Sequence, residues 1–166
     1  MLTVNIKNRA LAAIVLCLAM ATAETAQAQI AKPSIKMQLS AAVVRPGGKV
    51  AVDQAGTVAP GEVVLYTISS HNEGRKPALG YKATGPIPVN TVYIKGSAKA
   101  DGATELYSID GGKSFSSTPM IEERQASGAV TKIPAPASMY TQVRFEWSSP
   151  LQPDGASSAS YQVRVK

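Results

Sequence analysis

All 13 glycines and all 11 prolines of this 166-residue chain lie after residue 28. There they punctuate short runs rich in Val, Ile, Tyr and Thr. Glycine and proline break helices and set turns, whereas β-branched and aromatic residues fit a pleated surface. Regular punctuation of such runs restricts the chain to an all-β fold, read here as an Ig-like antiparallel β-sandwich of about seven to eight strands. After residue 28 no stretch has a convincing helical period. Only Thr118-Pro119 before Met120 to Gln125 suggests a short helical turn.

The runs alternate with period two, which puts the whole apolar set of a strand on one side. Ile35, Met37, Leu39 and Ala41 oppose Lys36, Gln38 and Ser40, and Val50 and Val52 form a short second piece. From Glu62 to Ser70 both parities are apolar, as in a central strand. Leu79, Tyr81 and Ala83 follow, then a break at Gly85-Pro86-Ile87-Pro88, then a strand begun by Val92 and Ile94. Val143, Phe145 and Trp147 oppose Gln142, Arg144 and Glu146. Tyr161, Val163 and Val165 oppose Gln162, Arg164 and Lys166. Trp147 is expected at the centre of the core, where truncation to Ala costs about 3–5 kcal/mol.

The first 28 residues are built differently. Lys7 and Arg9 precede an apolar run from Ala10 to Ala21, and Ala26-Gln27-Ala28 follows. That order is the layout of a secretory signal peptide helix, with cleavage expected after Ala28 and, as second choice, after Ala23. The run is shorter than the roughly 20 residues that span a membrane, so membrane contact is expected only in transit. Cys17, the only cysteine, has Leu16 before it where a lipoprotein signal needs a small residue. Cleavage leaves 138 residues, one domain's worth, without disulfides, thiolate metal sites or cysteine nucleophiles. Segment 29–57 reads as an N-terminal strand or lead-in, and 58–166 as the Ig-like domain. The location expected is periplasmic or extracellular. Of the net charge of +6, the leader carries +1 and the domain +5. The domain's basic residues are scattered, with Arg75-Lys76 the only adjacent pair, so nucleic acid is not the expected partner.

The order of several blocks is more specific than any one of them. Pro60-Gly61-Glu62-Val63-Val64-Leu65-Tyr66-Thr67-Ile68 leads to Asn72-Glu73-Gly74, Pro86-Ile87-Pro88 and Tyr93-Ile94-Lys95-Gly96-Ser97. Asp110-Gly111-Gly112 with Phe115, Tyr140 to Trp147, Pro153-Asp154-Gly155 and Tyr161 to Val165 complete the series. From about Val58 to Lys166 the chain resembles the domain-of-unknown-function 11 family of exported, Ig-like β-sandwich modules. Gly85 stands where that family commonly has Asp, and the chain has one copy where many members are tandem arrays. The resemblance implies an envelope module, and it carries no catalytic residues.

Chemistry-bearing residues are few. Ser108 to Phe115 is similar to the Asp-box of sialidase-type propellers, in which the Asp braces a hairpin; here Asp110, Gly111 and Gly112 read as a tight turn, with a sugar-binding turn as the alternative. His71, the only histidine, sits at a strand end beside a turn signature, which is poor ground for a catalytic base or a zinc site. Asp101, Asp110 and Asp154 are dispersed turn residues rather than a calcium cluster. Glu122 and Glu123 are adjacent and on a strand point opposite ways, so they do not make a glycosidase pair. The final strand has neither Asn nor Asp for an isopeptide staple. No cofactor is expected. Tyr81, Tyr93, Tyr107 and Tyr140 read first as core or rim residues and alternatively as a carbohydrate platform. A non-enzymatic exported module is therefore expected, with an unidentified envelope protein or polymer as its partner. Carbohydrate binding is the alternative, and a small secreted hydrolase the third.

Overall fold

A computed structural model of the chain describes residues 32–166. The leader, its helix and the cleavage residues Ala26 and Ala28 lie outside the described residues. Residues 32–166 form an all-β unit with eleven strands: β1 Ile35–Arg45, β2 Gly48–Ala51, β3 Val63–Asn72, β4 Lys82–Pro86, β5 Thr91–Tyr93, β6 Lys99–Ala100, β7 Ala103–Ser108, β8 Met120–Arg124, β9 Val130–Pro134, β10 Gln142–Trp147 and β11 Ala156–Val165. All pairings are antiparallel. The larger sheet runs β2-β1-β3-β11-β5, with β6 also on β11; the smaller runs β4-β10-β7. Strands β8 and β9 form a separate hairpin. This exceeds the expected seven to eight strands because β2 and β6 are fragments of two to four residues and the β8–β9 hairpin is additional.

The two sheets face each other across one core. Val64, Ile68, Ala159, Tyr161 and Val163 come from the larger sheet; Ala83, Val143 and Phe145 come from the smaller. Strand β3 is central, as its doubly apolar pattern requires. It pairs with β1 from Val63 to Asn72 and with β11 from Val63 to His71. Segment 29–57 supplies β1 and β2, so the first strand is an integral part of the sheet. Its core-facing parity is as expected, but only part of it is covered. Val43 is buried, whereas Met37 and Leu39 are 46% and 45% exposed, so the smaller sheet leaves that stretch of β1 bare.

Three other expectations are corrected. Met120–Arg124 is a strand, not a helical turn; it pairs in register with the β-branched Val130, Thr131 and Ile133. Tertiary pairing supplies the hydrogen bonds that so short a helix could not sustain. Leu79 is 78% exposed and does not join Tyr81 and Ala83 in the core, because it precedes β4 in a turn with Gly80 at φ +56°. Trp147 is only half-buried. It ends β10 at the margin of the core, its indole N–H reaching out to the Asp101 carbonyl at 2.9 Å. Phe145, at 0% exposure, holds the central place.

Two sites tie distant parts of the chain together. Tyr161, fully buried, stacks on Tyr66 (5.3 Å between centroids, 13°) and donates its hydroxyl proton to the Pro86 carbonyl at 2.5 Å. Gly85 is the residue this ring requires. A Cβ there would collide with Cε1, Cζ and the hydroxyl of Tyr161. Glycine at position 85 thus has a packing cause. Asn72, also fully buried, uses its whole side-chain amide. Oδ1 accepts from the Ser34 and Gly74 N–H groups, both at 3.1 Å, while Nδ2 donates to Lys76 O at 2.8 Å and Leu151 O at 3.0 Å.

Candidate contact sites

The Asp110 turn is held from every side. Ser108 Oγ donates to Asp110 Oδ1 at 2.7 Å and accepts from the Gly112 N–H at 2.8 Å. Ser114 donates to Asp110 twice, from its backbone N–H at 3.0 Å and its hydroxyl at 2.5 Å. These donors, led by the Ser114 hydroxyl, hold the Asp110 carboxyl well below the usual carboxylate range. Gly111 and Gly112 take φ of +75° and +91°, which only glycine adopts without strain. Thr141 and Gln142 tether the turn to β10. The Phe115 ring lies under the Arg144 guanidinium, 3.5 Å from Cζ to centroid. With its oxygens and ring engaged internally, this motif is a brace.

The tyrosines divide. Tyr93, Tyr107 and Tyr140 pack on one another, with centroids 4.8–5.8 Å apart. The Tyr107 hydroxyl sits 3.1 Å from that of Tyr93 and donates to Glu105 at 3.1 Å. Burial first, then Tyr93, pushes the Tyr107 phenol far up; burial also raises Tyr140, Tyr66 and Tyr161. Rings that cover each other belong to the core rather than to a platform. Tyr81 is buried and hydrogen-bonded to Ser70 Oγ, and it stacks on Trp147 at 5.0 Å and 26°.

Two concavities among the described residues bear on function. One is a trough of about 430 Å³ on the outward face of the larger sheet. Cross-strand register makes it: Lys36, His71 and Ala156 form one row, Gln38, Ser69 and Ser158 the next. The small side chains of β3 and β11 leave a depression beside the long ones of β1. His71 Nε2 lies 3.1 Å from the Asp154 carbonyl, and the Lys36 ammonium is 3.5 Å from Glu73. Glu122 and Glu123 do not line it; they lie on β8, facing Lys132 and Thr131 across the hairpin.

The other concavity, of about 320 Å³, is lined by Tyr81, Asp101, Trp147, Leu151 and Ser157 among others. The sequence pointed to Trp147 and Tyr81 but not to Ser157. The signal was present, since Ser157 shares the parity of Ala159 and Tyr161 and must point inward. Among the described residues no three His, Cys, Asp or Glu side chains are grouped to hold a metal ion. No helix among them is long and apolar enough to cross a membrane. Compared with known proteins, the chain matches no family model, no curated protein and no solved structure.

Proposed function

We propose that this chain is an exported, Ig-like module of the cell envelope, periplasmic or extracellular, that works by contact and not by catalysis. The observation that carries the reading is where the sandwich starts. Its first strand, β1, begins at Ile35, a short way past the expected cleavage after Ala28. Removal of the leader therefore leaves all eleven strands of the described residues in place. The absence of cysteine after residue 17 makes the domain's packing independent of the redox state it meets. The brace around Asp110 and the internally stacked tyrosines support a rigid scaffold whose free features are surfaces. The resemblance to the domain-of-unknown-function 11 family points the same way.

Cell fractionation with N-terminal sequencing tests the proposal. The expected product is an envelope-fraction protein starting at Gln29, and Ala28→Leu should shift or block processing. A full-length chain confined to the cytoplasmic fraction refutes it.

A further inference from the structure

Trp147, the only tryptophan of the chain, is fixed on two sides. Its N–H is committed to Asp101 O and one face is backed by Tyr81. Trp147 lines the 320 Å³ cavity together with Tyr81, so an aromatic ring held by a hydrogen bond and a stacking partner is presented there. Beside it stands an unusual polar atom. Ser157 Oγ is shielded from solvent and has no hydrogen-bond partner, the only such side-chain atom among the described residues. Shielded hydroxyls in folded proteins normally have a partner, and one without needs an explanation. Ser149 adds a second hydroxyl residue to the lining, and Leu151 and Pro150 supply apolar wall.

An immobilised ring beside an unsatisfied neutral hydroxyl selects a ligand with one apolar face and hydroxyls at its edge. A quaternary ammonium would want several ring faces arranged around a void. Here the two rings stack on each other, which leaves a backed platform and no cage. The volume is at the small end of ligand pockets, which run from about 300 to 1,000 Å³. We propose that this cavity binds a neutral sugar unit. The C–H face of a pyranose rests on the Trp147 indole, whose negative face attracts polarised C–H groups, and a ring hydroxyl pairs with Ser157 Oγ once that side chain turns into the cavity. The inference deepens the contact reading by naming a polysaccharide as the envelope polymer, and it rests on that reading only for its cellular setting.

Because Trp147 is alone, intrinsic tryptophan fluorescence of the purified protein reports this cavity and no other place. Titration with a panel of neutral hexoses, N-acetylhexosamines and their disaccharides should give a saturable change with at least one. Ser157→Ala, which removes one hydroxyl from a site without a partner, should leave the urea midpoint in place. It should weaken that sugar about 2- to 10-fold, the worth of one hydrogen bond. No saturable response across the panel overturns the proposal, as does equal binding by Ser157→Ala. A response to choline but to no sugar overturns it in favour of a cation. An envelope protein that binds no sugar would sink this inference alone; a cytoplasmic one that binds sugar here would sink only the export reading.

Discussion

Replacing Asn72 by Asp changes one NH₂ group to an oxygen and almost nothing in shape. Asn72 is fully buried and makes four hydrogen bonds, two accepted and two donated. The two it accepts survive in Asp. The two it donates, to Lys76 O and Leu151 O, do not, and an ionised carboxylate would instead face two carbonyl oxygens at donor distance. A buried charge left without a partner costs about 3–5 kcal/mol, a large part of a domain's usual total of about 5–15. The variant escapes by holding a proton, which restores one of the two donors. Its folded-state pKa is therefore raised above the unfolded value of about 3.9. A group shifted in that direction contributes fully below the unfolded pKa and loses its contribution as pH rises through the folded one. Relative to the parent, Asn72→Asp should thus cost about 3–5 kcal/mol at pH 7. At pH 4 the cost should fall to about 1–2 kcal/mol, one missing hydrogen bond. Urea unfolding of both proteins at both pH values measures it, with Asn72→Ala as a control whose deficit should not change with pH. A deficit for Asn72→Asp that is equal at pH 4 and pH 7 would mean that no buried charge is at stake at this position.

Gly85→Ala forces a methyl against the locked Tyr161 ring and should cost about 1–3 kcal/mol by urea unfolding. In a Tyr161→Leu background the cost should largely vanish, and an equal cost in both would show that the ring is not the obstacle. Trp147→Ala should cost about 2 kcal/mol, below the 3–5 of a fully buried aromatic, because the ring sits at the margin of the core. A loss above about 4 would put it at the centre. In a spectrophotometric titration Tyr66, Tyr107, Tyr140 and Tyr161 should ionise later than the usual value of about 10. Their raised values mean stability that is complete below that pH and lost above it, so Tyr107 and Tyr161 should ionise only on unfolding. Six tyrosines titrating together near pH 10 would contradict the packing of these rings.

Period-two alternation was enough to place Val143 with Phe145, and Tyr161 with Val163, on inward faces, and the doubly apolar run of β3 marked it as central. Alternation gives the side of a strand, however, and not what lies over that side. Met37 and Leu39 have the right parity and stay exposed, because coverage is set by the width of the opposite sheet. Parity also misses strands whose partners carry the signal. In Met120–Arg124 two of five residues are glutamates, and its pairing was legible only through Val130 to Ile133. Asn72 read as the start of a turn, and the turn is there. Its burial depends on Leu151 and Ser34 arriving from distant parts of the chain, which no local window contains. At the candidate sugar site the aromatic members were visible by type. The missing partner of Ser157 was not, since an unsatisfied hydroxyl is a property of surroundings rather than of sequence.

The position of β11 has a consequence for how the protein comes into being. The last strand in chain order is not an edge but an interior member of the larger sheet, lying between β3 and β5. It contributes Ala159, Tyr161 and Val163 to the core, with Ala159 set beside Ile68 and Tyr161 beside Tyr66. During vectorial synthesis the sheet therefore has a gap through its middle until Ala156–Val165 emerge, and no earlier length of chain can close the sandwich. Contacts so far apart in sequence also close slowly. A nascent chain that holds back its interior strand stays open, and the sandwich closes as one late event.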